Sequence, residues 1–279
     1  MKTIKPVTSM LLADFIDLHR YPINSLNSDE GKSLIAKCHD MMSRETICVL
    51  PGFLKSKAVS CLAEEISQLE SEARKVDYQT TMYGWMDNAG YQPDHPRSIL
   101  LRRRCSVLTT EQLAIDGLCK RLYQMDEITN FVRVLLGYDS LYCSACPTIS
   151  VRLNIMHEND EFSWHFDTND GVVSFTTQNA DSGGIFEYAP LIRSEENENY
   201  DGVSQVLKGD RLPLQADTPA GSFVLFLGRR SLHQVSSVGP TKKSRQSLLF
   251  SYDRKPNMVF PEKIRERLTN PTSTPFRGL

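Results

Sequence analysis

Ser163-Trp164-His165-Phe166-Asp167 decides how this 279-residue chain is read. Polar and apolar side chains alternate through it, the pattern of a strand, and alternation sends His165 and Asp167 to the same face two residues apart. An imidazole and a carboxylate on one face are two thirds of a facial triad, the two-His, one-carboxylate set that holds non-haem Fe(II) and leaves positions on it open. Only one histidine follows, His233, inside a second strand-like run, Arg230-Ser231-Leu232-His233-Gln234-Val235. Twelve residues further on stands Arg245-Gln246-Ser247. A lone His-x-Asp arises by chance in a chain with six histidines. The weight rests on the ordered set, each member on its own strand with glycine turns between.

Composition narrows the classes that remain. The chain is 40% hydrophobic and 24% charged, as ordinary globular proteins are. A net charge of -2 gives no electrostatic reason to expect nucleic acid or an anionic membrane as partner. No run approaches the roughly 18 apolar residues of a membrane span. Met10-Leu11-Leu12-Ala13 is too short for the core of a secretory signal. The seven cysteines are scattered, and Cys143 and Cys146 form a lone Cys-x-x-Cys without a second pair. Reduced, buried thiols and a cytoplasmic location are expected.

The first half reads as helical. Ser28-Asp29-Glu30 ahead of Leu34, Ile35, Cys38, Met41 and Met42 starts a helix in a lead-in that runs to residue 45. His19 and His39 in that lead-in are read as structural. Thr46-Ile47-Cys48-Val49-Leu50 is a strand closed by Pro51-Gly52. From Leu54 to Lys75, Val59, Leu62, Ile66 and Leu69 recur at helical spacing. Residues 111–136 are helical too, with Gly137 as the C-terminal cap. Between these helices lies a polar loop, Tyr83-Gly84-Trp85-Met86-Asp87-Asn88-Ala89-Gly90 and Pro93-Asp94-His95-Pro96-Arg97. Two readings of it stand: a surface loop, or a lid that carries Arg97 to a substrate carboxylate. Arg102, Arg103 and Arg104 follow on a strand, Arg102 and Arg104 on one face and Arg103 on the other.

In the second half, strands are expected at 140–145, 149–156, 162–166, 171–178, 184–189, 222–227, 231–237 and 245–252. Asn169-Asp170-Gly171, Asp181-Ser182-Gly183-Gly184, Pro219-Ala220-Gly221 and Val238-Gly239-Pro240 are the turn signals between them. About eight strands suffice for a double-stranded β-helix, the jelly-roll, cupin-like architecture. Residues 191–217 are an acidic, Asn-rich insertion with a short helix near Asn199-Tyr200-Asp201. No repeat or linker divides the halves. The chain therefore reads as one α+β domain, 1–279. Residues 1–138 form mainly helical support and a lid, 139–255 the β-helix core braced by N-terminal helices, and 256–279 a C-terminal tail. His157 is expected to be exposed in the loop before the quoted strand.

From roughly Ile149 to Asp253 the ordered set resembles the Fe(II)/2-oxoglutarate-dependent dioxygenases. Trp164-His165-Phe166-Asp167-Thr168-Asn169-Asp170, Gly183-Gly184-Ile185-Phe186-Glu187-Tyr188, Glu198-Asn199-Tyr200-Asp201 and Leu227-Gly228-Arg229-Arg230-Ser231-Leu232-His233 resemble one branch more narrowly. That branch holds free amino-acid hydroxylases and lysine halogenases, and His95-Pro96-Arg97 fits it as well. The resemblance implies His165, Asp167 and His233 as catalytic metal ligands, with Fe(II), 2-oxoglutarate and O₂ as cofactor and co-substrates. It implies Arg245, assisted by Ser247, at the distal carboxylate of 2-oxoglutarate, and Asn154 near the other end. Arg152 shares the strand face of Asn154; a strand with polar outward positions is the open alternative for both. Arg97, Arg152, Thr168 and Trp164 are the substrate-side candidates.

Asp167 fills the place that some relatives leave small for chloride, which favours a non-halogenating outcome. Thr148, Phe162 and Thr168 stand where lysine-specific relatives place acidic groups, so a neutral or acidic amino-acid derivative is expected rather than lysine. The implied activity removes hydrogen from an unactivated C–H of a free amino acid or derivative and hydroxylates it. Oxidative cyclisation or desaturation of an acidic derivative, as in kainoid synthases, begins with the same step. A non-catalytic cupin-like binding module is the competing class. The expected partner is a small amino-acid-like molecule, with neither nucleic acid nor membrane; the oligomeric state is left open.

Overall fold

A computed structural model describes residues 10–84, 86–168 and 171–269. Trp85 of the polar loop, Asn169-Asp170 of the expected turn, residues 1–9 and residues 270–279 of the expected tail lie outside the described residues. The helices are α1 (Leu12–Phe15), α2 (Asp29–Glu45), α3 (Ser56–Leu69), α4 (Leu118–Tyr123), α5 (Asp126–Leu135), α6 (Tyr200–Lys208) and α7 (Glu262–Thr269). The strands from the first half are β1 (Ile47–Leu50), β2 (Arg74–Thr80) and β3 (Leu101–Leu108). Those that follow are β4 (Tyr142–Cys143), β5 (Val151–Met156), β6 (Glu161–His165), β7 (Val172–Gln178), β8 (Phe186–Ala189) and β9 (Leu214–Ala216). The last are β10 (Phe223–Phe226), β11 (Leu232–Val235), β12 (Arg245–Phe250) and β13 (Tyr252–Asp253).

The strands pair as two antiparallel layers, β10-β7-β12-β5 and β6-β11-β8-β9. β3 joins them by pairing with both β5 and β6, so the two layers form a nearly closed barrel, a double-stranded β-helix. β1 extends one layer beside β10, and β2 pairs with β3. Three strands from the first half thus enter the same sheet as the second.

Local chemistry explains most boundaries. Ser28 begins α2 because its hydroxyl accepts the Gly31 N–H at 3.1 Å, and Thr46 ends it in the left-handed conformation at φ 63°. The expected helix from Leu54 to Lys75 stops at Leu69. A 3₁₀ turn at Glu70–Glu72 follows, and then β2 peels away to pair with β3 from Arg74↔Val107 to Thr80↔Leu101. Long-range pairing overrides helix propensity there. The expected helix over 111–136 is two helices. Glu65 of α3 fixes where α4 starts, its carboxylate accepting the N–H groups of Leu118 at 2.5 Å and Cys119 at 3.4 Å. The expected strand at 140–145 is only the short β4, paired with β13. A strand that the sequence did not suggest, β9, lies inside the 191–217 insertion, behind the helix α6 that the sequence places there.

Alternation splits each strand of the helix-covered layer. Val173, Phe175, Leu248 and Phe250 point to the core under the helices, while Ser174, Thr176, Ser247 and Leu249 line the barrel interior. Phe53 sits at the centre of the core, its ring 5.1 Å from Phe223, 6.0 Å from Phe175 and 6.3 Å from Phe131 of α5. It ties helix to sheet. All seven cysteines are free thiols, and among the described residues no helix is long and apolar enough to cross a membrane.

Removing the Phe53 ring is expected to cost about 3–5 kcal/mol. Urea denaturation of Phe53→Ala against wild type measures this, and a loss below about 1 kcal/mol would mean that helices and sheet are held together elsewhere.

Candidate metal centre

β6 and β11 pair so that His165 lies directly opposite His233. Opposed residues of an antiparallel pair share a face, which brings the two imidazole centroids to 4.0 Å. Each ring is oriented from its own strand. Nδ1–H of His165 donates to the Ser163 carbonyl and Nδ1–H of His233 to the Ser231 carbonyl, both at 3.0 Å. That fixes the tautomer and leaves both Nε2 lone pairs facing the cavity. Asp167 follows the end of β6, where its backbone N–H donates to the Gly228 carbonyl at 3.0 Å. Its carboxylate oxygens lie 3.8 Å from His165 Nε2 and 3.4 Å from His233 Nε2. The three donor groups fall within 4.8 Å of one another, the span of one metal ion's ligand set.

The seat of Asp167 depends on Gly228. A Cβ at residue 228 would stand 1.9 Å from Asp167 Oδ2, so only glycine leaves room for the carboxylate. Apolar rings wall the histidines: Phe162 is 4.6 Å from the His165 ring and Phe226 is 4.8 Å from the His233 ring. Burial, and secondarily the neighbouring charges of His233 and Arg103, hold the His165 pKa well below the ordinary histidine range. Burial also lowers that of His233, against the opposing pull of Asp167.

The centre opens into an interior cavity of about 280 Å³. The registers of β12 with β5 and β7 organise its floor: Ser247 lies beside Asn154 and Thr176, and Leu249 beside Arg152 and Ser174. Arg245 is buried at the end of this row. Its Nε donates to the Gly184 carbonyl at 2.8 Å and its Nη1 to Ser247 Oγ at 2.6 Å. Gly184 has φ +64°, and a Cβ there would come within 2.8 Å of Arg245 Cδ. Burial lowers the Arg245 pKa to about 10, which leaves it charged at neutral pH. Among the described residues no carboxylate lies within ion-pairing distance of it. Asn154 Oδ1 and Arg152 Nε are buried and have no hydrogen-bond partner. The open alternative for Asn154 and Arg152 was outward-facing polar positions; both face the cavity.

Of the substrate-side candidates, Arg152 and Thr168 line the cavity, and Arg97 and Trp164 do not. Arg97 is engaged mainly within its own loop, with Tyr200 of α6 as a further partner at 3.5 Å. It donates to Asn88 Oδ1 and Tyr91 OH, each at 3.0 Å, and to the Asp87 carbonyl, and it lies over the Tyr91 ring. It buttresses the loop and does not line the cavity. Trp164, next to His165 on β6, points to the opposite face and packs with the cluster around Met82, Tyr83 and Ile192. Arg103 does line the cavity, its guanidinium 4.6 Å from the Phe162 ring centroid. Arg102 and Arg104 turn to the other face, toward Asp77 and Asp160. Phe162 also lines the cavity, whereas Thr148 does not. His157 is half exposed and bonds Glu70 at 2.5 Å.

Sequence reasoning missed Tyr78 of β2, and Phe260 and Ile264 from the C-terminal segment, all on the cavity wall. Pro261 immediately before α7 was an available signal for the last two, since proline favours the opening of a helix.

No protein-family model matches the chain, and no curated protein sequence matches it. Solved structures do. The chain is similar to the non-heme alpha-ketoglutarate-dependent epimerase SnoN from nogalamycin biosynthesis, with TM-score 0.57 and 12% identity over 88% of this chain and 94% of that one. It is similar to a Pseudomonas putida prolyl-4-hydroxylase, with TM-score 0.50 and 14% identity over 79% of this chain and 99% of that one. A 2OG-Fe(II) oxygenase family oxidoreductase from Burkholderia pseudomallei gives TM-score 0.50 and 14% identity over 79% and 91%. At these identities the likeness is one of fold.

Gly228→Ala is expected to weaken metal binding about 10–100-fold by displacing Asp167, with the far-ultraviolet circular dichroism unchanged; Fe(II) titration under anaerobic conditions reads this. A second expectation concerns pH. The unfolded chain takes up protons on these histidines near pH 6.5 and the folded chain does not. The unfolded state therefore binds more protons, and the metal-free protein loses stability as pH falls from about 6.5. Urea midpoints between pH 7.5 and 5.5 should show that slope, reduced in His165→Gln; an equal slope in the variant would refute the assignment.

Proposed function

We propose that this chain is an Fe(II)/2-oxoglutarate-dependent oxygenase that hydroxylates a small amino-acid-like molecule held in the barrel interior. One observation carries the reading. His165, Asp167 and His233 converge within 4.8 Å on the wall of the same cavity that buries Arg245 without an acidic partner among the described residues. A metal trio alone would suit several ions, and a buried cation alone would suit any anion. Their union on adjoining strands of one barrel suits a metal beside a dicarboxylic oxo-acid.

The donor set fits Fe(II). Two neutral imidazoles and one carboxylate approach from one side, and the cavity side stays open for further ligands. Arg245 and Ser247 would take the distal carboxylate of 2-oxoglutarate, with Asn154 and Thr176 beside it in the same row. When bound, iron, 2-oxoglutarate and O₂ supply the oxidising power that breaks an unactivated C–H bond. The chain's residues do the rest. Ser163 and Ser231 carbonyls keep both imidazoles in the ligating tautomer. Phe162, Phe186 and Phe226 narrow the metal's surroundings and exclude water.

The fold also carries a carbocyclase, SnoK, with TM-score 0.54 and 10% identity over 87% of this chain. Oxidative cyclisation of an acidic derivative is therefore the second reading, and the cavity arginines favour it. A non-catalytic binding module would have no need of two histidines aligned for a metal. Residues 1–279 act as one unit in this proposal, since strands of both halves share the sheet. The free thiols suit a cytoplasmic location.

Anaerobic addition of Fe(II) and 2-oxoglutarate should produce the charge-transfer absorption of a chelated oxo-acid. Arg245→Ala should raise the 2-oxoglutarate needed by more than tenfold with iron binding retained, and His165→Ala should abolish the absorption and succinate release. Unchanged 2-oxoglutarate dependence in Arg245→Ala would overturn the cosubstrate site; full activity in His165→Ala would overturn the metal site.

A further inference from the structure

Charge in the cavity is unbalanced. Among the described residues, three guanidinium groups, Arg103, Arg152 and Arg245, line it against a single carboxylate, Asp167. In the proposed loaded state a divalent metal and a doubly charged oxo-acid cancel each other, so two positive charges remain uncompensated. Arg245 is engaged by Gly184 and Ser247 at one end of the row. The other two arginines come from strands β3 and β5, and no ion pair satisfies either among the described residues. Arg152 Nε is buried and has no hydrogen-bond partner. Arg103 lies over the Phe162 ring, which holds the guanidinium in place while leaving its N–H groups to donate elsewhere. A buried cation without a partner is expensive, and an anion supplied by a ligand removes the cost.

Resting on the oxygenase reading, we infer that Arg103 and Arg152 form a second anion subsite, separate from Arg245, which binds a carboxylate of the substrate. The substrate class follows. It is a small organic acid with a net negative charge in the cavity, preferably a dicarboxylate. It is not a cationic amino acid, because among the described residues the lining offers an ammonium group no carboxylate except Asp167. An acidic amino acid whose nitrogen is acylated, and therefore uncharged, meets these demands better than a free one.

The test is calorimetric titration of the anaerobic protein saturated with Fe(II) and 2-oxoglutarate. The probes are N-acetyl-L-glutamate, N-acetyl-L-glutamine and L-lysine. The expected order of affinity is the dianion, then the monoanion, then lysine. Arg103→Gln and Arg152→Leu should each weaken N-acetyl-L-glutamate at least tenfold while half-saturating 2-oxoglutarate, followed by the charge-transfer absorption, stays within twofold. Arg152→Lys, which keeps the charge but not the fork, should lose less than Arg152→Leu and covers the case in which the leucine variant does not fold. Variants that shift 2-oxoglutarate dependence instead would assign the pair to the cosubstrate and overturn the proposal. So would charge-independent binding, or no binding of any probe by a wild-type protein that forms the absorption. A wild-type protein that never forms it fails the oxygenase reading itself.

Discussion

The pairing of β6 with β11 is the constraint on which the rest of the site depends. It sets His165 opposite His233, and side chains directly opposed in an antiparallel ladder must share a face. A one-residue slip would send one imidazole to the outer face, where Trp164 now packs. The register shift between His233 and Val235 accommodates Phe162 opposite Val235 without disturbing the histidine pair. Asp167 needs no register of its own. It lies beyond the strand end and is held by the Gly228 backbone, which is why a glycine stands between two bulky segments there.

A second register does for the polar floor of the cavity what the first does for the histidine pair. Ser247 pairs with Asn154 on one side and with Thr176 on the other, so three strands contribute one polar row. The intervening residues of the same strands face the aromatic core around Phe53. Period-two alternation therefore builds two unlike environments on one layer. Its outer face is apolar and braced by α3 and α5, and its inner face carries serine, threonine, asparagine and arginine. Residues that make the sheet stable and residues that make it functional do not compete for positions.

The same alternation governed what the sequence disclosed. His165, His233, Arg245 and Ser247 sit on short strands whose pattern is local, and Asp167 follows two residues after His165, so their shared faces could be read without a partner. Arg103 could be separated from Arg102 and Arg104 by the same rule, though not assigned to the cavity. The failures were of another kind. β2 exists because β3 offers seven residues of matching edge, and α4 starts where Glu65, far back in the chain, accepts its N–H groups. β9 has three residues and lies behind α6 in a polar insertion. Arg97 has the chemistry of a substrate clamp, but Asn88, Tyr91 and Asp87 claim it within the loop. None of these partners is legible from the segment itself.

Polar interiors of this kind have to be supported by the rest of the molecule. Burying a guanidinium without a carboxylate is unfavourable, and here it happens at Arg245 and again at Arg152. Burial lowers the pKa of each, the direct mark of that cost. A protein selected for stability alone would put acids beside them, as it does at Arg102 with Asp77 and at Arg193 with Glu198. The contrast lies within a single fold: Arg102 and Arg193 outside the cavity are paired with acids, whereas among the described residues Arg103, Arg152 and Arg245, which line it, have no ion pair. Stability is drawn instead from the apolar face of the same strands. The proposed ligand would meet these unpaired charges, and their positions along β5 and β12 would decide which end of it each one meets.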